Sequence, residues 1–231
     1  MTFFNPTEPI LRPKQYALDY QDRQGLLHVQ LKIKNKTLVS NIYNRIDQVF
    51  GLWGLISAAV FITAQFTPIS WVTQAIVWSV LTVGGTLVTI GLTHFWVAVE
   101  RLHWVLYVWV ILMLVGVAIT DLGIFLGWGQ VLMHLSHLWL GLCAIGYFCT
   151  GIGMRSRAFI ISGIIHSLGI VSLSYVVGWQ FLVTGLIMAA NLFVLAETQW
   201  DMRLPIESYG LLTEKQKQFN REQQKLRQAT C

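Results

Sequence analysis

Six apolar stretches, each bracketed by turn formers or charges, organise this chain; they run over roughly 47–66, 70–93, 104–126, 130–150, 158–176 and 179–197. A helix rises about 1.5 Å per residue, so about 20 such residues cross the hydrocarbon layer of a bilayer. Thr67-Pro68 closes the first stretch, because proline cannot continue a helix and biases its predecessor towards extended backbone. Glu100-Arg101, Gly127-Trp128-Gly129, Arg155-Ser156-Arg157 and Gly178-Trp179 supply the other breaks. Each connection is short, which makes consecutive helices antiparallel neighbours. The predicted fold class is all-α: an integral membrane bundle of six transmembrane helices over 47–197, between an N-terminal region, 1–46, and a basic C-terminal tail, 198–231.

The flanks carry weaker patterns. Residues 26–34 alternate apolar and polar through Val29, Leu31 and Ile33, the period of a half-buried strand. Leu38, Val39, Ile42, Tyr43 and Ile46 then fall at helical spacing, predicting an amphipathic helix that leads into the first span. Residues 213–228 read as an exposed helix capped by Thr213, with Leu212, Phe219 and Leu226 seven residues apart. That helix suits a partner or a membrane surface. No internal repeat is expected, since the second and fourth spans share only a Trp followed by a Gly.

Composition supports a membrane. The chain is 55% hydrophobic and 12% charged, with a mean hydropathy of +0.57, whereas soluble domains carry about 25% charged residues. Of 16 Lys and Arg, seven fall within 1–45 and six within 198–231; Arg101, Arg155 and Arg157 complete the set. With six crossings, all of these lie on one side, so the positive-inside rule makes both termini cytoplasmic. A prokaryotic inner membrane or a related internal membrane is the expected location. The first 45 residues lack the layout of a cleavable signal peptide, which leaves insertion to the first span. Trp71, Trp128 and Trp179 at outer helix ends, and Trp96, Trp104 and Trp200 at inner ends, read as interfacial anchors. Cys143, Cys149 and Cys231 form no redox or zinc spacing.

Polar groups inside apolar spans are costly and point to function. Asp121 and, one tight turn later, His134 and His137 could share a proton or a transition metal, since two imidazoles and a carboxylate form a ligand set. His166 and Asn191 fall at similar depth and predict a hydrogen-bonded pair between spans five and six. A second reading of the same histidines makes His137 and His166 axial ligands of a b-type haem, at estimated depths about 6 Å apart. His94 and His103 flank a single loop and read as interfacial.

The chain has no phosphate-binding Gly-rich loop, no Gly-x-Ser-x-Gly, no His-Glu-x-x-His and no Lys or Arg deep in a span. The leading expectation is a non-enzymatic multi-pass accessory subunit, assembly factor or interaction scaffold. Its partners would be the lipid bilayer and other membrane subunits or a second copy of itself, not nucleic acid. A haem- or metal-binding redox protein and a small-solute transporter are the alternatives.

Overall fold

The structure, a computed structural model, describes residues 3–5, 9–33, 36–203 and 211–229. In chain order the elements are β1 (Leu11–Arg12), α1 (Tyr20–Arg23), β2 (Leu27–Ile33), β3 (Lys36–Tyr43), α2 (Arg45–Phe66), α3 (Trp71–Val99) and α4 (His103–Phe125). There follow α5 (Gly129–Met133), α6 (Leu135–Met154), α7 (Arg157–Ser172), a 3-10 turn (Leu173–Tyr175), α8 (Gln180–Glu197), β4 (Gln199–Trp200) and α9 (Glu214–Ala229).

Six helices among the described residues are long and apolar enough to cross a membrane: α2, α3, α4, α6, α7 with its 3-10 extension, and α8. They turn large apolar side chains such as Leu55, Val80, Leu87, Ile111, Leu168 and Leu186 outward. Such a surface is stable only against an apolar solvent.

Local chemistry sets the helix ends. Asn44 and Asp47 form a reciprocal capping box at the start of α2, at 2.9 and 3.0 Å. Ser70 caps α3 through the Thr73 amide. The chain leaves α4 through Gly127 in the left-handed conformation, with the Trp128 amide donating back to the Gly123 carbonyl. The turns after α3 and α6 use the same geometry with Arg101 and Arg155 at φ of 53° and 52°. An arginine there costs about 1 kcal/mol relative to glycine, but it puts a cation at the turn.

The region before α2 departs from expectation. The predicted strand is present as β2, but the predicted amphipathic helix is instead β3, paired antiparallel with β2 from Leu27–Tyr43 to Ile33–Lys36 around a bulge at Leu31/Lys32. Thr37, Val39, Ile42 and Tyr43 are β-branched or aromatic, and a partner strand seven residues long lies next to them. Local helical spacing therefore loses to pairing, and α2 begins only at Arg45.

Packing between neighbours closes a ring: α2 against α3, α3 against α4, α4 against α6, α6 against α8, and α8 back against α2. The α2–α8 contact is the most extensive, and α7 lies outside it against α6 and α8. Both tails meet at one end of the bundle, here the tail end. Strand β1 pairs with β4 there, placing Leu11 opposite Trp200. Asp201, 1% exposed, accepts from Ser156 Oγ and from the Arg157 and Ala158 amides, so it caps α7 from a distant part of the chain. The predicted C-terminal helix is α9, whose Thr213 and Gln216 form a second reciprocal cap. It docks on α1, where Asn220 bonds the Tyr20 amide and Gln21, and Arg227 pairs with Asp19 at 2.9 Å.

Candidate functional site

A slot of about 180 Å3 runs through the ring. On α3 its lining extends from Trp78 to Val97, about 28 Å along the helix axis. Five tryptophans line the slot: Trp53, Trp78, Trp96, Trp109 and Trp139.

Every one of these indoles has its N–H occupied. Trp53 of α2 donates to Thr89 Oγ1 of α3 at 2.9 Å, and Trp78 of α3 donates to Thr63 Oγ1 of α2 at 3.2 Å. The next pair of helices repeats the arrangement. Trp109 of α4 donates to Thr150 of α6 at 2.9 Å, and Trp139 of α6 donates to Thr120 of α4 at 3.2 Å. Two antiparallel hairpins are thus cross-stitched reciprocally. Thr63, Thr89 and Thr150 send their own hydroxyl protons to the carbonyls of Ala59, Gly85 and Gly146, one turn back on the same helix. A hydroxyl that gives its proton to its own helix keeps its lone pairs for the indole.

The glycines make room for the rings. A Cβ on Gly146 would lie 2.6 Å from the Trp109 ring, and one on Gly116 would lie 2.9 Å from the Trp139 ring. The sequence therefore does contain a repeat. Trp-x6-Gly-x3-Thr occurs at Trp78–Gly85–Thr89, Trp109–Gly116–Thr120 and Trp139–Gly146–Thr150, with a one-residue-shorter form at Trp53–Ala59–Thr63. Eleven residues are close to three helical turns, so Trp and Thr share a face and meet their counterparts on an antiparallel neighbour. The pattern fixes three positions in twelve, and overall likeness between spans does not reveal it.

With its indoles satisfied, the slot presents mainly ring faces and aliphatic side chains, interrupted by hydroxyls such as those of Ser57 and Thr82 and by Asp121. Near the end away from the tails, Ser79 Oγ lies 3.0 and 2.8 Å from the two carboxylate oxygens of Asp121. At the tail end Trp96, 7% exposed, donates to Asp22 Oδ1 at 2.8 Å. Trp96 is thus turned into the bundle instead of serving as the expected interfacial anchor. Its partner belongs to α1, an element that sequence patterning does not single out.

Beyond Trp96 lies a polar vestibule of about 340 Å3, which shares Trp96 and Ile46 with the slot. It is walled by the N-terminal segment, the start of α2, Glu100, β4 and α9. Gln21 Nε2 donates to Glu100 Oε1 at 2.9 Å. Burial, followed by the negative charge of Asp22, pushes Glu100 up to about 7. Burial and the charge of Asp19 likewise push Asp22 up to about 7.

The polar residues singled out in the sequence are placed as follows. Asp121 bonds Ser79 on α3. His134 is exposed, with Nδ1 donating to the Gln130 carbonyl at 2.8 Å. The His134 and His137 ring centroids lie 5.2 Å apart, and His137 Nδ1 has no partner. Among the described residues no group of three or more His, Cys, Asp or Glu side chains lies close enough to hold a metal ion. His137 and His166 sit on α6 and α7 at depths that differ by about 12 Å when counted from the turn joining these helices. The gap exceeds the sequence estimate because α6 continues to Met154. His166 is fully buried. Its Nδ1 donates to the Ser162 carbonyl at 2.8 Å, and Ser162 Oγ donates to Asn191 Oδ1 at 3.0 Å, so Ser162 joins the two. Tyr147, whose ring centroid is 4.8 Å from that of His166, lies between this cluster and the slot. The His94 and His103 ring centroids are 6.1 Å apart.

Compared with known proteins, the chain matches no family model, no curated protein and no solved structure.

Proposed function

We propose that the chain is an integral membrane protein with both tails cytoplasmic, which acts without catalysis as an accessory protein and holds one extended hydrocarbon chain in its slot. The observation that carries this reading is the satisfied indole lining. A mainly apolar cavity whose indole N–H groups are all engaged offers water few partners, and such cavities tend to stay dry and take apolar ligands. The same property argues against passage of a polar solute, which would need exposed donors and acceptors at mid-depth. A bis-imidazole haem is disfavoured by the depth gap between His137 and His166. The cytoplasmic placement rests on charge. Arg101, Arg155, Arg157 and Arg203 meet at the tail end, where Arg203 bonds the Gly153 and Glu100 carbonyls. A prokaryotic inner or related internal membrane fits this pattern.

The test is extraction. Purified in a mild detergent and then treated with organic solvent, the protein should release close to one equivalent of a lipophilic molecule, identified by mass spectrometry. Thr86→Phe and Val110→Phe, both in the slot lining, should lose it. Val88→Phe, on an exposed position of the same helix as Thr86, should retain it. Release that is independent of these substitutions would remove the proposal.

A further inference from the structure

We infer that the vestibule is the headgroup site of the slot's occupant and that this head is an amine, so the ligand is a long-chain amphiphile ending in an ammonium group. The inference rests on the slot reading and adds the chemistry of the polar end.

Adjacency comes first: Trp96 and Ile46 line both spaces, which puts the vestibule at the tail-side end of the slot, where the head of a chain held there would lie. Charge comes next. Four cations line the vestibule, and each is already engaged. Lys14 bonds Asp47 at 2.8 Å and the Ile42 carbonyl, and Arg227 bonds Asp19 and the Ala17 carbonyl. Arg203 bonds two backbone carbonyls, and Arg12 also has a partner. An anionic head would have to break one of these contacts or rely on the edge of Arg203, whose Nε is a buried donor not used by them.

The acceptors are in the opposite state. Glu100 is 2% exposed, yet among the described residues its Oε2 has no hydrogen-bond partner, and the same holds for Gln15 Oε1 and Gln199 Oε1. All three residues line the vestibule, where Arg203 Nε is a buried donor without a partner among the described residues. Among the described residues, neutral donors serve the Asp22 and Glu100 carboxylates: the Trp96 indole and the Gln21 amide. A buried acceptor without a donor is costly, and an ammonium group brings three N–H donors and one positive charge. Burial, then the charge of Asp19 on Asp22 and of Asp22 on Glu100, raises both to about 7 despite the opposing charges of Arg227 and Arg203, and an added cation would relieve them.

The experiment uses the full chain in zwitterionic nanodiscs and three probes of one chain length: dodecylamine, dodecanol and dodecanoate. Each competes against a bromine-labelled alkyl chain that quenches the slot tryptophans. Slot-filled Thr86→Phe protein supplies the correction for partitioning into lipid. At pH 8, dodecylamine should displace the label at a concentration at least tenfold lower than dodecanol, and dodecanoate should be the weakest. The advantage of the amine should shrink several-fold at pH 5.5, where Asp22 and Glu100 carry protons. Glu100→Gln should bring amine and alcohol within about twofold, chiefly by weakening the amine. Gln15→Leu, which removes an acceptor without a charge, should weaken the amine more than the alcohol. Dodecanoate binding as tightly as dodecylamine, or an amine advantage indifferent to Glu100→Gln and Gln15→Leu, would overturn the headgroup assignment and leave the slot standing. Failure of all three probes would overturn the slot reading as well.

Discussion

Thr150→Val is the most informative single perturbation of the ring. Valine keeps the shape of threonine and replaces the hydroxyl by a methyl. The Trp109 N–H, 2.9 Å from that hydroxyl, is left without an acceptor beside an apolar slot. An orphaned buried donor costs about 1–3 kcal/mol in soluble proteins. Side-chain bonds inside membrane bundles average nearer 0.6 kcal/mol and reach about 1.7. The Gly146 carbonyl that loses the Thr150 proton keeps its place in the helix, so the indole accounts for most of the effect. The pairwise coupling should then be about 1 kcal/mol, close to a fivefold change in the unfolding equilibrium. A double-mutant cycle with Trp109→Phe isolates it, because the volume lost with the indole cancels between the two arms. Stability would be read from reversible unfolding in mixed micelles of rising dodecyl sulfate fraction, followed by circular dichroism. Thr150→Val should cost about 1 kcal/mol in the presence of Trp109 and close to nothing in its absence. A coupling below about 0.3 kcal/mol, within the range expected of independent sites, would refute the idea that these bonds hold the ring.

Other outcomes follow from the same geometry. Gly146→Ala should destabilise by about 1–3 kcal/mol through overpacking against Trp109. Gly84→Ala, with nothing within 4 Å of its Cβ, should be neutral or slightly stabilising by helix propensity; thermal melts in detergent separate the two. Asp201→Ala should cost about 3 kcal/mol, because it strips the cap from α7 and leaves the Ser156, Arg157 and Ala158 donors unmatched; limited proteolysis would show earlier cleavage of the C-terminal tail. Asp22 and Glu100 hold their protons more tightly in the folded state than in the unfolded one. Their contribution to stability is therefore present below about pH 4 and is lost as the pH rises towards about 7. The difference in stability between Glu100→Gln and the parent protein should grow across that window in favour of the variant and level off above it.

The sequence made the spans legible because each is a long apolar run closed by a strong breaker, as Thr67-Pro68 and Gly127 illustrate. Where two structures competed on local grounds, in residues 36–43, pairing with β2 decided. The candidate site was legible only in part. Asp121, His166 and Asn191 stood out as polar residues in apolar surroundings, but their partners Ser79 and Ser162 are ordinary residues whose relevance comes from packing. The tryptophans and threonines of the slot were readable as a spacing. Threonine is common in such helices, however, and only the antiparallel pairing shows that each Trp meets a Thr one helix away. The vestibule was out of reach, since it joins α1, Glu100 and α9 across the length of the chain.

The central claim, that the ring encloses a space for one hydrocarbon chain, is tested most directly by indole quenching. In a variant with Trp71, Trp104, Trp128, Trp179 and Trp200 replaced by Phe, the slot tryptophans alone emit. Titration with an alkyl chain brominated at its middle should quench that emission saturably at one equivalent, and Thr86→Phe should abolish the saturable part. Quenching that rises without limit as the probe fills the surrounding bilayer, unchanged by Thr86→Phe, would contradict the account.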